Sequence, residues 1–160
     1  MISVNVICVG GLKEKYLKDA VSEYSKRLGA FCKFKITELD EYKLPQNPST
    51  AQIENGIQEE GKKILSKITK GSYVFSMCIE GKNISSQQLS QEIENISLKG
   101  VSNIDFIIGG SYGLLDEIKS QSNFKLSMSK MTFPHQLARV MLCEQIYRAF
   151  QISSGGKYHK

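Results

Sequence analysis

Residues 105–150 read DFIIGGSYGLLDEIKSQSNFKLSMSKMTFPHQLARVMLCEQIYRAF, and the fold turns on how this stretch divides. Asp105-Phe106-Ile107-Ile108 is short, β-branched and aromatic, and Gly109-Gly110 stops it, which predicts a buried strand. Gly109, Gly110 and Gly113 permit a sharp turn and let a ligand approach bare main chain. Residues 115–120 predict a short helix and 124–128 a second short strand. The loop that follows ends at Pro134, which suits a first helical turn because a missing N–H costs nothing there. From Pro134 to about residue 152 the pattern predicts the longest helix of the chain. Both loops leave strands at their C-terminal ends, where α/β sheets place ligand sites.

Working outward, residues 3–9 alternate and are β-branched, which predicts a first strand. Residues 12–28 predict an amphipathic helix with Leu12, Tyr16, Leu17, Ala20, Val21, Tyr24 and Leu28 toward the core. Residues 32–39 alternate again, as a strand with one wet face at a sheet edge. Pro45 and Pro48 mark a loop over 40–50, and 51–68 predicts a helix that Gly56 and Gly61 weaken by about 1 kcal/mol each. YVFSMCI at 73–79 predicts a central strand buried on both faces, and Glu80-Gly81-Lys82-Asn83 a turn. Ser85 and Gln88 have the spacing of a capping box opening a helix to about residue 96. Strands alternating with helices predict a three-layer α/β sandwich with a largely parallel sheet.

The 160 residues amount to one domain, with 41% hydrophobic and 23% charged residues, as in ordinary globular chains. No apolar run approaches the roughly 18–20 residues of a membrane span, and MISVNVICVGG lacks a basic leader region; the expectation is a cytoplasmic protein without a membrane partner. A net charge of +5 admits an anionic partner without demanding one. Cys8, Cys32, Cys78 and Cys143 are dispersed in apolar segments, which predicts buried reduced thiols. His135 and His159 are the only histidines and show no metal-ligand spacing, so no metal is expected. VGGLKEK is not a dinucleotide fingerprint, Gly81-Lys82 is not a P-loop, and no G-x-S-x-G elbow occurs. The helix after Pro134 carries so little polar surface that it must be covered on more than one side, which predicts a homodimer. Within it, Glu144 and Arg148 stand four residues apart and can pair, either as a plain surface ion pair or as an arginine held for phosphate or a nucleobase. Lys157, Tyr158, His159 and Lys160 suit base stacking and phosphate neutralisation, or else a frayed solvated end.

IGGSYGL at 108–114, LSMSKMTFPHQLARVMLCEQIYRAFQI at 126–152 and the closing KYHK resemble the RlmH family of bacterial ribosomal RNA methyltransferases, of the SPOUT (α/β-knot) class. The resemblance spans the chain, from VICVGGLKEKY through VFSMCIEGK to the last residue. It implies a single SPOUT domain over 1–160 whose cofactor-binding region, about 73–160, is tied in a trefoil knot. Chain-topology rules alone point to an unknotted doubly wound sheet. The resemblance further implies a homodimer that uses S-adenosylmethionine, without metal, to methylate N3 of a pseudouridine. It implies a target in helix 69 of 23S rRNA within the assembled ribosome, and no DNA partner.

Carried over by position, the cofactor pocket takes in Met77, Gly109 and the loop Met128, Ser129, Lys130, Met131, Thr132 and Phe133. Gly81, Gly110 and Gly113 would shape it, and Ser111 and Tyr112 receive no role. The sulfonium already carries an activated methyl group, so the enzyme must chiefly position it in line and give the N3 proton an outlet. His159 is the first candidate base and His135 the second; Tyr158 would stack on or hydrogen-bond the target, while Arg148 and Lys160 would hold phosphate or developing charge. A last helix at the dimer interface points to a site shared between subunits. The competing readings are a ribosome-binding module without catalysis and a SPOUT enzyme acting on transfer RNA.

Overall fold

Five strands form one sheet: β1 (Ser3–Val9), β2 (Lys33–Leu39), β3 (Tyr73–Asn83), β4 (Asn103–Ile108) and β5 (Phe124–Ser127). Their order is β2-β1-β4-β3-β5, and every neighbouring pair is parallel. The helices are α1 (Lys15–Leu28), α2 (Thr50–Leu65), α3 (Ser86–Leu98), α4 (Asp116–Gln121) and α5 (His135–Ser153). The computed structural model describes every residue from Met1 to Lys160.

Parallel crossovers are right-handed, so the direction of each step across the sheet selects the face its helix occupies. The steps β1 to β2 and β3 to β4 run one way and place α1 and α3 together. The steps β2 to β3 and β4 to β5 run the other way and place α2 and α4 on the opposite face. The core divides accordingly: Val4, Val6, Cys8, Ile104 and Phe106 pack with Leu28, Ile93, Leu142 and Ile146, whereas Ile7, Val9 and Ile107 pack with Ile64 and Ile118. α5 thus joins α1 and α3, completing three layers.

β1 has the bounds its alternation predicts and β2 lies at the edge, with Lys33 and Lys35 exposed. The Ser85–Gln88 capping box is present, the Ser85 hydroxyl accepting from Gln88 N at 3.1 Å and the Gln88 side chain from Ser85 N at 2.8 Å. A second box, Ser49–Gln52, opens α2 one residue before its expected start. α2 ends at Leu65, three residues before the expected end at Ile68, which packs beside the core from the connection. Gly61 does not weaken this helix idly: a Cβ there would stand 2.7 Å from Leu115 Cδ2, so the glycine lets the start of α4 approach. Tyr16, expected toward the core, is 68% exposed because the buried face of α1 runs through Leu17, Val21 and Leu28, and Tyr16 stands one residue off it.

The expected turn at Glu80-Gly81-Lys82-Asn83 is strand. β3 runs on to Asn83 with both Met77 and Lys82 opposite Leu126 of β5, so residues 78–81 bulge out of the ladder. Glycine and polar residues serve a bulge as well as a turn, which is why the pattern misleads. Burial on both faces accordingly holds only for Val74, Phe75 and Ser76; Met77 and Cys78 are half-buried and Ile79 is exposed.

Two buried charges fix the connections. Arg139 of α5, 1% exposed, donates from Nη1 to Glu38 Oε2 at 2.6 Å and from Nη2 to the Gly10 carbonyl at 2.8 Å. Asp105 of β4, also 1% exposed, accepts from Thr69 N and Ser72 Oγ, each at 2.7 Å, and from Thr69 Oγ1 at 3.3 Å. Asp105→Ala strands these donors and is expected to lower the unfolding free energy by about 3 kcal/mol in urea titrations. A loss below about 1 kcal/mol would contradict this role.

Candidate functional site

A cavity of about 750 Å³ opens beyond the C-terminal ends of β3, β4 and β5, a volume that suits a cofactor-sized ligand. Three segments build it. The β3 bulge gives Met77, Cys78, Ile79 and Glu80; the glycine turn gives 108–114; the exit from β5 gives 126–129 and 131–135. Lys119 of α4 and Ala138 of α5 close the wall. The glycine turn is folded on itself through a bridge between Gly110 and Gly113. Gly113 has φ 89°, where a side chain would strain the backbone, and a Cβ on Gly109 would lie 2.8 Å from the Gly113 backbone, so a side chain there would move the wall. The β5 exit loop is shaped by its own polar groups. Ser127 Oγ donates to the Ser129 carbonyl at 2.9 Å, and Met131 N donates to Ser129 Oγ at 3.0 Å. Asn83 Nδ2 donates to the Ser127 carbonyl at 3.0 Å and ties the loop to the end of β3.

Seven of the eight expected pocket residues therefore stand together: Met77, Gly109, Met128, Ser129, Met131, Thr132 and Phe133. Lys130 does not line the cavity and is exposed. His135 belongs to the wall, together with Pro134. Ser111 and Tyr112, given no role from sequence, are lining residues as well. Sequence reasoning also missed Ile79, Glu80 and Lys119. Lys119 Nζ lies 2.6 Å from Glu80 Oε1, clamping the bulge to α4 across 39 positions of sequence, and no local pattern announces such a pair. The ion pair holds the Glu80 carboxyl below its ordinary range and raises Lys119, both through their mutual hydrogen bond.

The thiols behave unequally. Burial pushes Cys8 up to about 11 and Cys32 and Cys143 up to about 12, which keeps them protonated and inert. Cys78 is half-buried, contrary to the uniform burial expected, because the bulge carries it to the cavity wall.

Arg148, Tyr158 and His159 stand elsewhere. Arg148 is thirteen residues along α5 from His135, which is about 20 Å at the helical rise. The tail is not frayed but folded onto α5. Tyr158 packs edge-on against Tyr147 with centroids 4.9 Å apart, its hydroxyl donates to Glu144 Oε1 at 3.1 Å, and the Arg148 guanidinium lies 4.6 Å from its ring centroid. Burial, then hydrogen bonding, raises the Tyr158 phenol above its usual range, so it remains a donor. Arg148 Nε donates to Glu144 Oε1 at 2.9 Å, Nη2 donates to the same oxygen, and Nη1 lies 3.2 Å from His159 Nδ1. His159 Nε2 in turn lies 2.9 Å from the Gln87 side-chain amide of α3.

The family model described as "Predicted SPOUT methyltransferase" matches residues 2–159. A Clostridium acetobutylicum protein named ribosomal RNA large subunit methyltransferase H is 53% identical over 159 residues, covering 99% of this chain and all of that protein. The chain belongs to the RlmH family. A Clostridioides difficile RlmH relative, under the same name, is 46% identical over the same coverage. Solved structures of methylase-family proteins from Haemophilus influenzae and Neisseria gonorrhoeae superpose with TM-scores of 0.56 and 0.52. Each covers 99% of this chain, which in turn covers 71% and 87% of theirs, and identities of 9% and 12% make this a likeness of fold alone.

In this RlmH-family chain the unequal burial of the thiols has a direct readout. Native protein near neutral pH is expected to react with a thiol reagent at about one cysteine, Cys78, and at all four after unfolding. Peptide mapping that finds Cys8 or Cys143 labelled in the native state would contradict the burial described.

Proposed function

We propose that the protein transfers a methyl group from S-adenosylmethionine to N3 of a pseudouridine in helix 69 of 23S rRNA, acting on the assembled ribosome in the cytoplasm. The observation that carries this reading is the cavity. The three segments matched to the RlmH pattern, separated by tens of residues in sequence, converge on one cofactor-sized space at the C-terminal edge of the sheet. Family membership along the full chain supplies the reaction class. Small residues and exposed main chain in the glycine turn suit adenine and a bent methionine, while Met77, Met128 and Phe133 offer apolar surface. When bound, the cofactor supplies an electrophilic methyl group, and the chain's task is to hold donor and acceptor in line.

The enzyme works as a homodimer with a site shared between subunits. Two features support this. The Arg148–Tyr158–His159 group lies about 20 Å along α5 from its own cavity. A strip of Leu137, Val140 and Met141 on the same helix is left incompletely covered. His135, in the cavity wall, is a residue of the cofactor side, and the tail is the residue group of the RNA side, with Lys160 toward phosphate. The same family reading assigns a trefoil knot to the region of about 73–160.

Transfer of labelled methyl from S-adenosylmethionine to ribosomes lacking the modification is expected to place label in large-subunit RNA at a pseudouridine, with naked rRNA a poor substrate. Label in transfer RNA would move the substrate, and no label on any RNA would refute the reaction. Gly109→Ala is expected to weaken cofactor binding by calorimetry about 10-fold or more, because its Cβ displaces the turn.

A further inference from the structure

Glu144 is the hub of the tail. Its Oε1 accepts from Arg148 Nε and Nη2 and from the Tyr158 hydroxyl, and its Oε2 accepts from Gln145 Nε2 at 2.8 Å. Gln145 Oε1 accepts from Ser86 Oγ at 2.6 Å, at the first turn of α3, where Gln87 also sits. With two of its nitrogens on one carboxylate oxygen, the plane of the guanidinium is set, and Nη1 is aimed at His159 Nδ1.

That contact decides the state of the imidazole. A guanidinium has five N–H donors and no acceptor, so His159 Nδ1 must accept and carries no proton. The proton of the ring then resides on Nε2. An imidazole cannot accept at both nitrogens, and Gln87 Nε2, 2.9 Å from His159 Nε2, would set donor against donor; the amide is therefore assigned turned end for end, its oxygen accepting from Nε2–H. The only free lone pair of the ring is thus occupied by a cation, and the outward group is a donor.

We propose that Glu144 is a positioning residue that, through Arg148, fixes His159 as the Nε2–H tautomer. His159 then meets the target pyrimidine as a hydrogen-bond donor to a ring carbonyl, and not as the base that takes the N3 proton. The proposal rests on the methyl transfer argued above. In that transfer the N3 proton leaves to solvent water, and the negative charge is shared by N3 and the flanking carbonyl oxygens. Nitrogen forms the new bond to the methyl carbon as the carbon–sulfur bond breaks, its electron pair staying on sulfur to give a neutral thioether. The Nε2–H of His159 exchanges the Gln87 amide oxygen for a carbonyl oxygen where charge accumulates, which is where a fixed donor lowers the barrier.

The test has a spectroscopic and a kinetic arm. Nitrogen NMR of ring-labelled full-length protein is expected to show His159 protonated at Nε2 and bare at Nδ1, with the two tautomers mixed in Glu144→Gln. A proton on Nδ1 in the wild-type chain would overturn the proposal. In single-turnover methyl transfer, His159→Ala is expected to fall about 100-fold with unchanged cofactor affinity, the size of a lost charge-stabilising donor. His159→Gln, which keeps a donor but is no base, is expected to remain within about 10-fold of wild type. If His159→Gln is as slow as His159→Ala, the imidazole acts as a base and the proposal fails. Arg148→Lys, which keeps charge but loses the fork, is expected to scramble the tautomer and slow transfer. Wild-type protein that transfers no methyl would defeat the functional reading, while the NMR arm would still decide the tautomer.

Discussion

The placement of α5 depends on one buried guanidinium. Arg139 reaches from the middle of the helix layer to the C-terminal ends of two strands, holding the Gly10 carbonyl after β1 and the Glu38 carboxylate of β2. A cation so enclosed is stable only where its partners stand, because removing the Glu38 carboxylate would leave its charge uncompensated and removing the Gly10 carbonyl would leave a buried donor unpaired. This sets the depth and rotation of α5 on the sheet. It also sets where Pro134 and His135, one turn earlier, deliver the β5 exit loop, and so it fixes one wall of the cavity.

Much of this architecture was legible in sequence because it is written locally. β1 needs only alternation and a glycine stop, α3 only its capping spacing, and α5 only a long apolar helix after Pro134. What escaped is non-local or degenerate. Residues that make a turn also make a bulge, so the extension of β3 to Asn83 could not be separated from a reversal until β5 was seen beside it. Tyr16 scans as a core position, and only the orientation of α1, which buries Leu17 beside it, exposes it. Gly61 reads as a weak point until Leu115 is found against it.

The candidate site divides the same way. Its cavity side rests on short segments that leave adjacent strands, so a motif reading gathers into one lining all of its residues except Lys130. Its tail side rests on pairings between α5, α3 and the last residues, whose meaning lies in donors and acceptors. From sequence, His159 is simply an imidazole among the cations of the tail. In the fold it is an imidazole with a guanidinium on one nitrogen, a different reagent. Glu144, which reads as an ion-pair partner, turns out to govern three other side chains.

The two margins of the sheet carry a consequence for solubility. On one side β2 presents Lys33 and Lys35, and on the other β5 offers only four residues of ladder. A foreign strand approaching the first meets repelling, strongly hydrated charge, and at the second it finds too few hydrogen-bonding groups to register against. An all-parallel sheet of apolar strands is a template for fibrillar growth if its rim is open. Here the rim is closed at both ends by composition and by brevity, with no covering element required.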